Sequence, residues 1–288
     1  MEKITSPSGG FDLDHFWREH DSALLSTQFS THGDLSLTHD LYRGMPPWFN
    51  AFFAHFQHKA IRRLLKRIPN SLTGRGLDIG CGTGRWNKLL QAMQLKAFGM
   101  DIGILAVQIA AHQYPEASFV IAKLPTVCFK PDSFSLAISV MVLQHVPYTS
   151  QLTALQAIQN SLIPNGYLLV CESIHPKDPS PYLFGNTGHR WKELFYLSEW
   201  QIVASYGCEF LPFVTIYQWI RQFFFQFDGV LKRRKGEVGA VADFFHRHSI
   251  FAQFIRVVLY WAYPLEYLSS ACLPMNWARV GCFLLKKV

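Results

Sequence analysis

The pattern of apolar side chains changes near residue 70, from a helical spacing to short strand-like runs. Between Trp48 and Ile68, apolar residues recur at the spacing of one helical face, and the run ends ahead of Pro69. From Gly76 onward, short apolar runs alternate with helical segments, which is typical of βαβ units around a parallel sheet. The runs that predict strands are residues 77–79, 97–100, 118–121, 136–142 and 167–171.

The second half of the chain predicts the rest of the sheet and an insertion. We expect a helix at 198–206, followed after Gly207 by a strand at 209–214, and a last strand at 280–285. Between these two strands lie roughly sixty residues, 215–277, where a doubly wound domain needs only a short connection. Because this segment is rich in Phe, Tyr and Trp, we expect a helical cap over the ligand edge of the sheet.

Composition narrows the class of protein. Apolar residues make up 49% and charged residues 16% of the 288, which excludes a disordered chain. The six cysteines form no C-x-x-C pair, so we expect reduced thiols and a cytoplasmic protein. We expect neither a secretory signal nor a transmembrane segment, because the longest apolar stretch, 250–264, is short and carries Gln253 and Arg256.

The net charge of +7 permits a polyanionic partner such as RNA. The basic residues cluster at 59–67 and 232–235, and clusters of this size are typical of solvated faces. His246 and His248 would point to different faces of a helix, so we expect no metal site there or elsewhere.

A glycine-rich turn is the strongest functional motif. The sequence GRGLDIGCGTGRW predicts a strand, a tight turn and a helix that begins near Arg85. Gly80, Gly82 and Gly84 can adopt positive φ and admit a ligand close to the backbone, and a helix N-terminus attracts anions. A dinucleotide-binding turn would need G-x-G-x-x-G, which this chain lacks. Asp101 ends the next strand, where a carboxylate can accept both hydroxyls of a ribose.

Two further segments, taken together with this motif, resemble a known family. LDIGCGTG with Asp101, VLQHV at 142–146 and LIPNGYLLVCE at 162–172 resemble the ordered motifs of class I S-adenosylmethionine-dependent methyltransferases. The similarity covers roughly residues 75–173 and continues more weakly through LSEWQIVASYGCEF. It implies S-adenosylmethionine as cofactor and a Rossmann-like α/β fold, with a mostly parallel seven-stranded sheet between helices. The expected parts are an N-terminal helical segment (1–70), the sheet domain (71–214 and 278–288) and the cap (215–277).

The resemblance also implies residue roles at the cofactor. The glycine turn surrounds the methionine part, Asp101 binds the ribose, and the residues after the fourth strand face the cleft. Aromatic rings of the N-terminal segment would lie against the sulfonium. The expected cofactor-binding residues are Asp78, Gly80, Cys81, Gly82, Asp101, Ile102, Gln144, Tyr42 and Trp48. Two departures, FVIAKLP and Ser133-Phe134-Ser135, leave the adenine contacts open.

Methyl transfer places few demands on catalytic groups, because alignment and exclusion of water supply much of the rate. His145 is the first candidate for a general base, since it follows the strand that ends beside the transferred methyl. A packing histidine fits the same position. Glu172 and His175 after the fifth strand are further catalytic candidates, as are His189 and Arg190.

The leading hypothesis is therefore a methyltransferase that acts on the oxygen or nitrogen of a small, largely apolar or aromatic acceptor, in biosynthesis, as a monomer or homodimer. An RNA methyltransferase is one alternative, although LQHVP replaces the Asn/Asp-Pro-Pro-aromatic tetrad of nucleic-acid branches. A second is an enzyme that uses the same cofactor for cyclisation or aminocarboxypropyl transfer. A third is peripheral membrane contact through the aromatic segment 244–267.

Overall fold

Seven strands in the described part of the chain form one sheet. The computed structural model describes Asp12, Phe16, Arg247 and residues 47–175, 182–210 and 249–288. The helices are α1 (Pro47–Leu65), α2 (Asn87–Ala92), α3 (Ile104–Gln113), α4 (Tyr148–Ser161), α5 (Gly188–Leu197) and α6 (Ser249–Cys272). The strands are β1 (Arg75–Ile79), β2 (Lys96–Asp101), β3 (Ser118–Ile121), β4 (Phe134–Val140), β5 (Leu162–Ser173), β6 (Trp200–Phe210) and β7 (Ala278–Lys287).

The strand order creates one ligand edge. The order is β3-β2-β1-β4-β5-β7-β6, with β1 to β5 parallel and β7 antiparallel to both of its neighbours. The carboxyl ends of β1, β2, β4 and β5 therefore meet at the same edge of the sheet. The chain order reverses between β1 and β4, and open α/β sheets bind ligands at such a reversal. The expected mostly parallel, seven-stranded Rossmann-like sheet is confirmed.

Both faces of the sheet are covered, as expected. On one face, α1 buries a row of phenylalanines that includes Phe52, Phe53 and Phe56, and the spacing of apolar residues along this segment is that of one helical face. On the other face, α4 and α5 contribute a second cluster that contains Trp191 and Phe195. The central strands read as apolar runs because they are buried from both sides.

The helix expected at 198–206 is wrong, because residues 200–206 belong to β6. The helix lies one step earlier, as α5, where the Thr187 side chain caps its start and Ser198 its end. Glu199 then turns the chain with φ of 58°, and β6 pairs along the length of β7. The strand expected at 209–214 corresponds to the end of β6 at Phe210, and 211–214 lie outside the described residues.

Helix α6 is the described part of the expected cap. Its side chains Ile255 and Ala262 join the core cluster of α1, and Tyr263 packs edge-on against Phe52, with ring centroids 4.9 Å apart. Residues 215–246 and 248, with the two histidines weighed as metal ligands, lie outside the described part. None of the helices in the described ranges is long and apolar enough to cross a membrane.

Candidate active site

The glycine turn after β1 is fixed to the end of β2. The backbone N–H groups of Gly80 and Cys81 both donate to the carbonyl of Met100, at 2.8 and 3.0 Å. Gly80 has φ of 65°, and a Cβ there would collide with the side chain of Val142. Glycine is therefore required because the loop after β4 approaches the turn so closely. Asp78, also expected at the cofactor, is fully buried in β1 between β2 and β4.

Asp101 ties the ends of the two strands together at the ligand edge. One carboxylate oxygen accepts a hydrogen bond from Gly82 N–H at 2.9 Å, and the other accepts from Gly103 N–H at 2.8 Å. A carboxylate oxygen carries two lone pairs, so a carboxylate that accepts backbone N–H groups can in general accept a hydroxyl proton as well. Asp101 and the following Ile102 are half-buried at this edge. A half-buried carboxylate beside a turn of glycines with positive φ fits the ribose and methionine parts of S-adenosylmethionine.

Glu172, near the end of the neighbouring β5, fixes the loop after β4 through hydrogen bonds. Its carboxylate accepts the N–H groups of Val142, Leu143 and Gln144, at 2.9, 2.8 and 3.3 Å. Glu172 is fully buried, and burial raises the pKa of its carboxyl to about 8, against the lowering effect of these bonds. The three bonds fix the short 3-10 turn that carries Gln144 and His145.

His145 is held in a defined orientation. Its Nδ1 lies 2.9 Å from the carbonyl oxygen of Tyr182, and its Nε2 lies 3.5 Å from Nε2 of Gln144. A carbonyl oxygen can only accept, so the proton of a neutral imidazole resides on Nδ1. The lone pair that a general base needs then lies on Nε2, the nitrogen that also contacts the Gln144 amide.

A segment around Phe184 borders the loop after β4, and this neighbour was not predicted from the sequence. Phe184 N–H donates to the carbonyl of Gln144 at 2.6 Å. The buried side-chain amide of Gln151 donates to backbone carbonyls of the loop after β4 and to the carbonyl of Phe184, the latter at 2.8 Å. The oxygen of the same amide accepts a hydrogen bond from Asn186 at 2.8 Å. The only sequence signal was a glutamine on the apolar side of α4.

An aromatic stack lies next to this segment. The ring of Phe16, from the N-terminal segment, stacks on Tyr182 with ring centroids 4.6 Å apart and an interplanar angle of 11°. Tyr182 is the residue whose carbonyl orients His145. Phe16 is therefore placed beside the residue that orients His145.

The remaining candidates are spread more widely. His175 follows β5, and its Nε2 lies 2.9 Å from the carbonyl of Asn276. His189 and Arg190 are exposed on the first turn of α5, where Arg190 pairs with Glu193. Trp48 lies within the first turn of α1 and contacts Phe49 edge-on, and Tyr42 lies outside the described residues.

Cysteines and metal ligands do not cluster at the site. All six cysteines are free thiols, and Cys81 is buried in the glycine turn. In the residues that the structure describes, no three His, Cys, Asp or Glu side chains are grouped so as to hold a metal ion.

Comparison with known proteins agrees with this geometry. A family model described as a methyltransferase domain matches residues 53–223. The fold is similar to the [4+2]-cyclase SpnF, at 18% identity over 80% of each chain, with a TM-score of 0.51. It is also similar to phosphoethanolamine N-methyltransferase 2 of Haemonchus contortus, solved with S-adenosyl-L-methionine. That identity is 15% over 98% of this chain and 61% of the other, with a TM-score of 0.57. No curated protein sequence matches.

The family match covers more than half of the chain and includes the glycine turn, Asp101, His145 and Glu172. The two structural likenesses, at such low identity, show the fold alone. The expected resemblance is confirmed by the family match together with the sheet order. The chain belongs to the methyltransferase domain family and is an enzyme of the class I, S-adenosylmethionine-dependent type.

Proposed function

We propose that the protein transfers the methyl group of S-adenosylmethionine to an oxygen or nitrogen of a small, largely apolar or aromatic acceptor. The observation that carries this proposal is the orientation of His145 at the ligand edge. Its Nδ1 faces the Tyr182 carbonyl, which leaves Nε2 as the basic nitrogen. The site thus combines a cofactor cradle with one oriented base.

The cofactor supplies a methyl group already activated by its sulfonium. Asp101, with Ile102 beside it, holds the ribose, and the turn from Asp78 to Gly82 holds the methionine part. Gln144 and the aromatic residues Trp48 and Tyr42 border the sulfonium in this proposal. Half-burial of Trp48 on the first turn of α1 supports a position at the rim rather than in the core.

His145 would remove the proton of an acceptor hydroxyl as the oxygen–methyl bond forms, or the proton of an acceptor ammonium before its nitrogen attacks, and S-adenosylhomocysteine is the leaving group. Glu172 is a positioning residue in this scheme, because it is fully buried and its oxygens hold the loop that carries His145. His175 is the second candidate for contact with the acceptor, since it follows the end of β5 at the same edge.

The proposed class of acceptor is argued from the aromatic side chains near His145. The Phe16 and Tyr182 stack lies beside the base, and Tyr148 packs edge-on against Phe184 with ring centroids 5.5 Å apart. The aromatic segment 215–277 is proposed to complete the cover and to set acceptor choice. Such walls favour a small acceptor with apolar surface over an extended polyanion.

A non-methylating reaction is the second candidate, favoured by the likeness of fold to a [4+2]-cyclase. Both readings are tested by incubating the purified protein with S-adenosylmethionine and small-molecule fractions of its host, with mass detection. A product heavier by one methylene unit, formed together with S-adenosylhomocysteine, would support methylation. An isomeric product without cofactor consumption would indicate a [4+2]-type cyclisation. Release of methylthioadenosine would indicate that the aminocarboxypropyl carbons of the cofactor react, either by their own cyclisation or by transfer to an acceptor. Methylation of the RNA fraction alone would contradict the small-acceptor proposal.

A further inference from the structure

A basic groove lies on the C-terminal half of α1 and the turn that follows it, where they meet β6 and the last turn of α6. The groove has a volume of about 1220 Å³. Five cationic side chains line it: Lys59, Arg62, Arg63, Lys66 and Arg67. The sequence predicted a solvated face for this cluster, but the neighbouring elements make it concave.

The five cations repel one another. Lys59, Arg63 and Arg67 form one row at intervals of four residues, and Arg62 and Lys66 form a second row beside it. Like charges at this spacing destabilise a helix. Among the described residues, no carboxylate lies within ion-pair distance of any of the five. An anion in the groove would relieve this repulsion.

The first row is already ordered for binding. Lys59 donates to the Ser270 hydroxyl at 2.9 Å, and Arg63 donates to the Ser270 carbonyl at 3.3 Å. Arg67 donates to the hydroxyl of Tyr206 at 3.3 Å. These bonds use one donor of each side chain, so the others remain for a ligand. Preorganised cations of this kind form charge-assisted bonds with phosphate oxygens.

Two aromatic rings at the groove, those of Tyr267 and Tyr206, each have one face covered by a cation. The Lys59 ammonium lies 3.4 Å above the centroid of the Tyr267 ring, and the Arg63 guanidinium lies 4.1 Å above that of Tyr206. Proteins that bind single-stranded nucleic acid stack bases on free aromatic faces beside their cations. The covered faces therefore favour a phosphate group over a nucleobase as the occupant.

We propose that this basic groove binds a phosphate-bearing anion, at a site separate from the methyl-transfer reaction. Two sources share that chemistry, a free phosphorylated metabolite and a lipid headgroup. The second source is suggested by α6, which flanks the groove. A row of apolar side chains at spacings of three and four residues is exposed along this helix: Ile250, Phe254, Val257, Trp261, Leu265 and Leu268.

Binding of inorganic phosphate tests the proposal. The double variant Arg62→Gln/Lys66→Gln removes two exposed cations of the groove, neither of which bonds to a neighbouring element. The matched control, Lys130→Gln/Lys192→Gln, removes the same charge from exposed positions elsewhere. By calorimetry at low ionic strength, we expect the groove variant to bind phosphate about tenfold more weakly or worse. The control should bind as the wild type does.

Vesicles separate the two sources. Co-sedimentation with phosphatidylcholine vesicles that contain phosphatidic acid, lost in the groove variant but kept in the control, would identify a lipid headgroup. Phosphate binding without vesicle binding would identify a free metabolite. Equal losses in both variants, or no phosphate binding by the wild type, would overturn the proposal. So would binding of an RNA oligonucleotide that phosphate does not displace. S-adenosylmethionine binding should stay unchanged in both variants, because neither touches the turn beside Asp101.

Discussion

The carboxylate of Asp101 accepts the backbone N–H of Gly82 across 2.9 Å, which joins the end of β2 to the turn after β1. One side chain thus fixes the turn, and in the proposed site the same side chain binds the ribose. We expect Asp101→Ala to weaken S-adenosylmethionine binding by roughly 1 to 3 kcal/mol, the range for a hydrogen bond to a charged group. Calorimetry measures this loss.

Glu116→Ala is the matched control for that variant, because Glu116 is an exposed carboxylate whose partner is Gln91 on the surface. It should leave cofactor affinity unchanged. Undiminished binding by Asp101→Ala, or tight binding of NAD by the wild type without any response to S-adenosylmethionine, would contradict the assigned cofactor site.

His145→Gln should lower turnover by about a hundredfold or more, the usual contribution of general base catalysis, and leave cofactor affinity unchanged. The rate is measured with the acceptor that the mass screen identifies. His189→Gln changes an exposed histidine on α5 and should have no effect. If His175→Gln carries the loss and His145→Gln does not, the base is the residue after β5.

Glu172 should make folding stability fall as the pH rises. Its folded pKa is about 8, whereas the ordinary value is 4.5. Between these values the folded protein keeps a proton that the unfolded chain has released, so the free energy of unfolding decreases with pH. Each unit of difference in pKa corresponds to about 1.4 kcal/mol. Urea unfolding across this range measures the slope.

Glu266 contributes a slope of the same sign, because burial raises its pKa to about 7. The interval between pH 7 and pH 8 is therefore the part specific to Glu172. We expect Glu172→Gln to flatten the curve in that interval and Glu266→Gln to flatten it only below. A wild-type stability that rises from pH 7 to pH 8 would show that Glu172 is ionised in the folded protein.

The cap is tested by a deletion that spares α6. Helix α6 shares the core of α1, and its Glu266 accepts the N–H of Glu209 at 2.7 Å, so its removal would damage the sheet domain. Replacing residues 215–246 by a short polar linker should keep S-adenosylmethionine binding and abolish turnover of the acceptor. Normal turnover by such a variant would mean that this segment does not choose the acceptor.

Most of the proposed cofactor half of the site could be predicted from local sequence. The glycine turn, Asp101 and the strands around them follow from short-range patterns, because each strand is buried on both faces and each turn has its own residue chemistry. The β6 end of the sheet could not be predicted from such local patterns. Strand β6 has apolar residues on both of its sides and becomes a strand through pairing with β7, which lies far along the chain.

The contacts of Gln151 beside His145 could not be predicted from the sequence for a related reason. Gln151 and Asn186 meet only after α4 and α5 have packed, and the partners of Gln151 are backbone carbonyls that no sequence motif marks. The basic residues of α1 were visible in the sequence, but their meeting with Tyr206 and Ser270 depends on tertiary packing. Sequence patterns report periodicity and turn chemistry, and neither of these encodes such long-range contacts.

The position of β7 between β5 and β6 has a consequence for synthesis of the protein. Of the seven strands, β7 is the last to leave the ribosome, and until it arrives both β5 and β6 present unpaired edges. Exposed edges are templates for pairing with other chains, and domains dominated by such distant pairings fold slowly. A nascent chain that has completed the cofactor cradle is therefore still prone to aggregate. Its need for chaperones should be greatest just before residues 278–287 are made.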